Sequence, residues 1–283
     1  MKEALYYESL GSSRVHCHLC PYECMISDGK RGNCGVRINN GGVLYSEIYN
    51  KTTGISLDPI EKKPLYHYHP GEQILSLGTR GCNLHCLFCQ NAHISQELNA
   101  PTQDITSAQV IEKARLYRSF GIAYTYNEPF MWYEFVLETA KLARQNGLKN
   151  VLVTNGYVNM KPLEEILPFI DAMNIDLKSF DDDFYVKVCA GRLKPILKVI
   201  KRSALACHVE LTNLLIPTLN DSLDSIKKMV DWIYENLGPE MPLHLSRYFP
   251  CYKMSLPPTP VETLKMAERI AKAKLKYVYL GNI

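Results

Sequence analysis

From residue 74 onward the chain alternates short β-rich runs with amphipathic helical stretches, and that rhythm constrains the fold more than any other feature. The runs lie at 74–77, 122–126, 149–154, 172–177, 207–212, 242–246 and 276–280. Helices fill the gaps. Thr106-Ser-Ala-Gln109 reads as a capping box, with Val110, Ala114 and Tyr117 following on one face. Residues 130–146 put Trp132, Phe135, Val136, Thr139, Ala140 and Ala143 on one stripe and stop at Gly147. Ile226, Met229, Val230 and Ile233 form another stripe. Thr259-Pro-Val-Glu262 offers an N-cap, a proline at N1 and a glutamate at N3. Strands and helices in alternation build a parallel sheet with helical crossovers. The expected fold is therefore α/β, a partial or complete TIM-like (β/α) barrel over 73–283, preceded by a small Cys-rich segment over 1–72.

Cysteine placement adds chemistry to this frame. Of ten cysteines, seven fall before residue 90: Cys17, Cys20, Cys24, Cys34, Cys82, Cys86 and Cys89. The N-terminal region has no apolar signal-peptide core, and no apolar stretch approaches the ~18 residues of a membrane span. The chain is expected to be cytoplasmic, where clustered cysteines indicate metal or redox sites and not disulfides. Cys82, Cys86 and Cys89 follow the first apolar run at spacings of x3 and x2. Such a loop can wrap one face of a [4Fe-4S] cube, which normally takes four thiolates. Three would leave one iron open to a small ligand, as in a catalytic metal site. Cys17, Cys20, Cys24 and Cys34 lie at x2, x3 and x9 among Gly, Pro and Asn. Four thiolates on short loops suit a closed tetrahedral zinc site, with a second iron–sulfur cluster as the rival. His16 and His18 read as surface histidines. Cys251, just beyond a strand end, reads as a buried bystander.

The C-terminal ends of barrel strands carry the active site in this architecture. Here they offer Thr79, Asn127-Glu128-Pro129, Thr154-Asn155-Gly156, Asp176 with Lys178, Thr212-Asn213 and Ser246-Arg247. Period two puts Asn174, Asp176 and Lys178 on one face and Ile175 and Leu177 on the other. The apolar pair packs against helices, so the polar triplet faces the lumen. Glu210 with Thr212, and His244 with Ser246, share inner faces in the same way. Asp176 and Lys178 could simply pair with each other, since an unpaired buried charge is costly.

Cys82-x3-Cys86-x2-Cys89 followed by Gln90-Asn91 resembles the signature of radical S-adenosylmethionine (radical SAM) enzymes of the pyruvate formate-lyase activating enzyme group. Several segments bring it nearer to the AmmeMemoRadiSam-system subfamily. They are Cys-His-Leu-Cys-Pro near residue 20, Gly-Lys-Arg-Gly-Asn-Cys-Gly-Val-Arg at 29–37 and Asp-Pro-Ile-Glu-Lys-Lys-Pro-Leu at 58–65, then Tyr-Asn-Glu-Pro at 126–129 and Ser-Arg-Tyr-Phe-Pro at 246–250. The resemblance implies a [4Fe-4S] cluster on Cys82, Cys86 and Cys89, with SAM as cofactor. It also implies SAM contacts from the group Asn127, Glu128, Asn155, Asp176, Lys178, Thr212 and His244. Glu128 stands where such enzymes bind the SAM amino group, although the usual glycines are replaced by Tyr126-Asn127. Arg80, Gln90 and Asn91 could tune the cluster by hydrogen bonding.

The implied reaction is reductive cleavage of SAM to a 5′-deoxyadenosyl radical that abstracts hydrogen from a protein or peptide, as in glycyl radical formation. A flavodoxin or ferredoxin would supply the electron. Rearrangement or coupling of a small molecule is the alternative, and a non-catalytic iron–sulfur electron-transfer protein is the third reading. A net charge of +3 is too small to imply a nucleic-acid partner. No membrane partner is expected, and the chain is expected to be a monomer.

Overall fold

The computed structural model describes residues 1–283. Its main sheet has eight strands in sequence order: β1 (Gly54–Pro59), β2 (Gln73–Gly78), β3 (Gly121–Tyr124), β4 (Lys149–Thr154), β5 (Ala172–Asp176), β6 (His208–Leu215), β7 (Leu243–Arg247) and β8 (Val278–Gly281). β2 to β8 run parallel, while β1 joins the edge antiparallel to β2. β1 and β8 sit at opposite ends of the strand order, so the sheet curves as a partial barrel and does not close. All seven expected runs became strands. Both faces of β2 to β5 are covered, which is why they read as almost continuous apolar runs.

The helices between them are α1 (Ser107–Leu116), α2 (Tyr133–Gln145), α3 (Met160–Ile166), α4 (Leu193–Ala204), α5 (Leu223–Leu237) and α6 (Val261–Lys272). Thr106 and Gln109 form the expected capping box at the start of α1. Beyond α2, Gly147 takes φ +73°, which glycine adopts without a Cβ penalty. At α6 the structure differs from expectation. The N-cap is Pro260, and Thr259 makes no cap bond. Thr259 is fully buried, and its hydroxyl donates to Leu215 O at 2.6 Å and accepts from Tyr248 N at 3.1 Å. Two buried main-chain groups outcompete the exposed end of a helix for that hydroxyl.

The proline-bounded stretch after residue 58 has a structural task. Its first residues extend β1 through Asp58 and Pro59, so the barrel's sheet begins at Gly54, ahead of residue 73. The following residues pass under the barrel. Asn174 Nδ2 donates to Pro64 O at 2.8 Å, and the Glu210 carboxylate accepts the N–H groups of Tyr66 and His67 at 3.0 and 2.7 Å. Inward-facing polar groups at the lower end of β5 and β6 are thus consumed by a plug.

Ahead of the barrel lie two small antiparallel sheets. One joins Tyr7–Ser9, Val15–Cys17 and Cys24–Ile26; the other joins Lys2–Glu3, Val43–Ser46 and Arg37–Asn40. A fully buried ion pair between Arg37 and Glu134 pins them to α2. Asn159 N also donates to Leu19 O at 3.1 Å, and Trp132 Nε1 to Tyr49 O at 2.7 Å. No helix is long and apolar enough to cross a membrane.

Candidate active site

A cavity of about 700 Å³ opens at the C-terminal ends of the strands, a size that suits a small-molecule cofactor. Cys82, Cys86 and Cys89 line it together with Asn127, Glu128, Asn155, Asp176, Lys178 and Thr212. His244 does not line it. That residue sits on β7, 4% exposed, with Nε2 2.7 Å from Glu210 Oε2. Period two placed it correctly on the inner face. It is the register partner of cavity-lining Thr212, and its pairing with Glu210, which periodicity does not encode, puts it in the floor network.

The cysteine loop is held by its neighbours. Asn127 Oδ1 accepts Thr79 N–H at 3.0 Å and Nδ2 donates to Gly81 O at 2.9 Å, bracketing the start of the loop. Gly78 is obligatory by contact, because a Cβ there would stand 2.5 Å from Thr125 O. Further along, Asn91 Nδ2 donates to Tyr126 O at 2.7 Å. The loop's middle lies along the turn after β5: His85 N and Leu87 N donate to Cys189 O and Val188 O, each at 2.9 Å. Cys251 is half-buried, with its thiol 3.5 Å from Cys89 O, so it abuts the loop.

Glu128 is almost fully buried at the end of β3. Its carboxylate accepts Thr154 Oγ1–H at 2.8 Å, Asn155 N–H at 2.8 Å and Phe130 N–H at 3.1 Å. Burial nevertheless pushes its carboxyl up to about 7. Asn155 Nδ2 reaches Cys82 Sγ at 3.5 Å and Asn83 Oδ1 at 3.0 Å. Asp176 and Lys178 pair at 2.7 Å, yet both remain on the cavity wall. Burial pushes the Cys82 thiol well up, with Glu128 adding to the rise. The Cys86 thiol is pulled down, chiefly by a hydrogen bond from Cys189, with Lys178 assisting against burial.

Sequence reasoning missed Lys62 and Lys63, which reach the cavity from the segment under the barrel. Lys63 is 1% exposed and bonds Asp58 Oδ2 at 2.6 Å. Tyr126 shares that carboxylate at 2.5 Å. The only signal was the Asp-x3-Lys-Lys spacing, which without a fold reads as a surface run.

The cavity thus presents three soft thiols from one loop, with hydrogen-bonding groups from four other strand ends around them. That donor set fits a [4Fe-4S] cluster bearing one open iron. The sequence model of the Radical SAM superfamily matches residues 76–233, more than half of the chain. The chain belongs to the radical SAM superfamily. Membership implies a [4Fe-4S] cluster and SAM. An uncharacterized protein of Methanocaldococcus jannaschii is 46% identical, covering 100% of this chain and 86% of that one. A pyruvate formate-lyase-activating enzyme of Clostridium pasteurianum is 27% identical, covering 54% of this chain and 66% of that one. Among solved structures, Streptococcus suis SuiB bound to S-adenosylmethionine aligns with TM-score 0.58 at 13% identity, over 74% of this chain and 52% of that one. This radical SAM chain therefore shares its fold with SuiB and is distantly homologous to glycyl-radical activating enzymes.

Proposed function

We propose that this chain is a SAM-cleaving enzyme whose radical abstracts hydrogen from a protein or peptide, in the manner of a glycyl-radical activating enzyme. The observation that carries this reading is the meeting of Cys82, Cys86 and Cys89 with Glu128, Asn155, Asp176, Lys178 and Thr212 on one cavity wall. The macromolecular target is supported by similarity to the Clostridium pasteurianum activating enzyme. The motifs at 17–21, 29–37 and 58–65 support the AmmeMemoRadiSam assignment within the superfamily.

In this reading Cys82, Cys86 and Cys89 hold the cluster, and the bound group supplies the one-electron chemistry that splits the SAM sulfonium. Glu128 offers a carboxylate to the SAM ammonium. Asn155 orients the Cys82 sulfur through its side-chain amide. Asp176, Lys178 and Thr212 contact the ribose or carboxylate. The plug beneath the lumen keeps water from that side. The electron comes from a flavodoxin or ferredoxin.

Anaerobically reconstituted protein with dithionite and SAM should yield 5′-deoxyadenosine. A full cluster that yields none would overturn the enzyme reading. Deuterium carried from a labelled peptide or protein into the nucleoside would support a macromolecular target.

A further inference from the structure

We infer that Cys17, Cys20, Cys24 and Cys34 bind a second iron–sulfur cluster and not a zinc ion, and that Asn83 ties this site to the Cys82 loop. The inference stands independently of the target proposed above.

The four cysteines converge from two turns. Cys17 and Cys24 face each other across an antiparallel pair, Cys20 lies in the turn between them, and Cys34 comes from the turn at Gly32–Gly35. Cys17, Cys20 and Cys34 are buried. Burial disfavours the free thiolates of Cys20, Cys24 and Cys34, yet polar donors reach sulfurs of the set. Asn33 N donates to Cys24 Sγ at 3.5 Å, and Arg37 Nη1 to Cys17 Sγ at 3.8 Å. Arg37 is 1% exposed, and its Nε has no partner. Arg37 is charge-paired with Glu134 and still offers Nη1 to Cys17; such donors beside buried sulfur match metal-bound thiolates.

Spacing selects the metal. One tetrahedral zinc ion, with Zn–S bonds of about 2.3 Å, holds its thiolates about 3.8 Å apart. In this chain the group whose donor atoms all come within 4.8 Å of one another is Glu8, His16 and His18. The quartet is more widely spread, and so are Cys82, Cys86 and Cys89. A cube with one iron per thiolate needs that wider spread.

The two sets also abut. Gly81 has φ +88°, and a Cβ there would lie 3.0 Å from Cys34 O. Asn33, beside Cys34, donates to Asn83 O at 3.0 Å. Asn83, beside Cys82, is wholly buried, and the Asn33 it holds donates its own N–H to Cys24 Sγ at 3.5 Å. Asn83 Oδ1 accepts from the same Asn155 amide that reaches Cys82 Sγ. One buried asparagine therefore connects a sulfur of each set through Asn33 and Asn155, and it acts as a positioning residue for both.

The test uses full-length chain, reconstituted without oxygen, with iron, sulfide and zinc counted. About eight irons are expected in the wild type and about four in the Cys82→Ala/Cys86→Ala/Cys89→Ala variant. After reduction that variant should show a cluster signal in electron paramagnetic resonance that does not respond to SAM. One zinc per chain and no cluster signal in the same variant would overturn the inference. Failure of the SAM-cleaving reading would instead appear as wild type with full iron and no deoxyadenosine. Asn83→Ala should keep both iron complements and shift both reduction midpoints in one redox titration. Two unmoved midpoints would overturn the tie through Asn83.

Discussion

Glu128 and Asn155 are joined across two strand ends: Glu128 Oε2 accepts the Asn155 main-chain N–H at 2.8 Å, and the Asn155 side chain continues to Cys82 Sγ at 3.5 Å. The buried carboxylate and the first cysteine of the loop are thus two hydrogen bonds apart. This geometry has a consequence for pH. Burial raises the Glu128 carboxyl to about 7 from its ordinary 4.5. The stability contributed by the neutral form is full below the ordinary value and is lost as pH rises through about 7, by up to about 3 kcal/mol. Urea unfolding at pH 5 and pH 8 should show that decline in wild type and a flatter response in Glu128→Gln. SAM binding should run the other way, strengthening above pH 7 in wild type and losing that dependence in the variant. Identical profiles for the two proteins would remove Glu128 from the SAM site.

Each of Cys82→Ala, Cys86→Ala and Cys89→Ala should abolish deoxyadenosine formation. Chromatography of the quenched reaction provides the check, and turnover retained by any one variant would dismiss the cluster assignment.

The floor makes a separate prediction. Burial alone would raise the Glu210 carboxyl, but His208, His244 and two main-chain N–H groups outweigh it and hold it down to about 2. Its stabilisation is present above the ordinary carboxylate value and is lost as pH falls toward about 2. Glu210→Gln should lose about 3 kcal/mol at pH 7, since it breaks a buried charged network. The difference from wild type should shrink in acid denaturation. A variant as stable as wild type at pH 7 would show that the plug does not depend on Glu210.

Thr259→Val keeps the shape and removes the hydroxyl that joins Leu215 O to Tyr248 N. Leaving two buried main-chain groups unpaired should cost about 1–3 kcal/mol by chemical denaturation. An exposed cap, the role that sequence suggested, would cost less than this at the same site and would leave the loop after β7 undisturbed.

Period and spacing made the barrel legible. Each strand run is bounded by turn residues, and alternation alone puts Asp176, Lys178 and Thr212 on the inner face. Three tightly spaced cysteines fixed the place of the site. What stayed hidden depends on long-range contact. His244 and Thr212 are register partners on adjacent strands, yet Thr212 lines the cavity while the His244 ring is taken by Glu210. Thr259 has the composition of a cap, and only the approach of Leu215 and Tyr248 reveals its other use. The local spacing around Lys63 does not reveal its role; its partners Asp58 and Tyr126 are brought together by tertiary folding.

The plug anchored by Asn174 and Glu210 seals one end of the lumen. That end offers no exit, which leaves traffic to the strand-top opening. In the proposed reaction the two halves of a cleaved SAM and the group they act on would share that opening, and a bulky target seated last over it would hold a reactive fragment in place until that target departs.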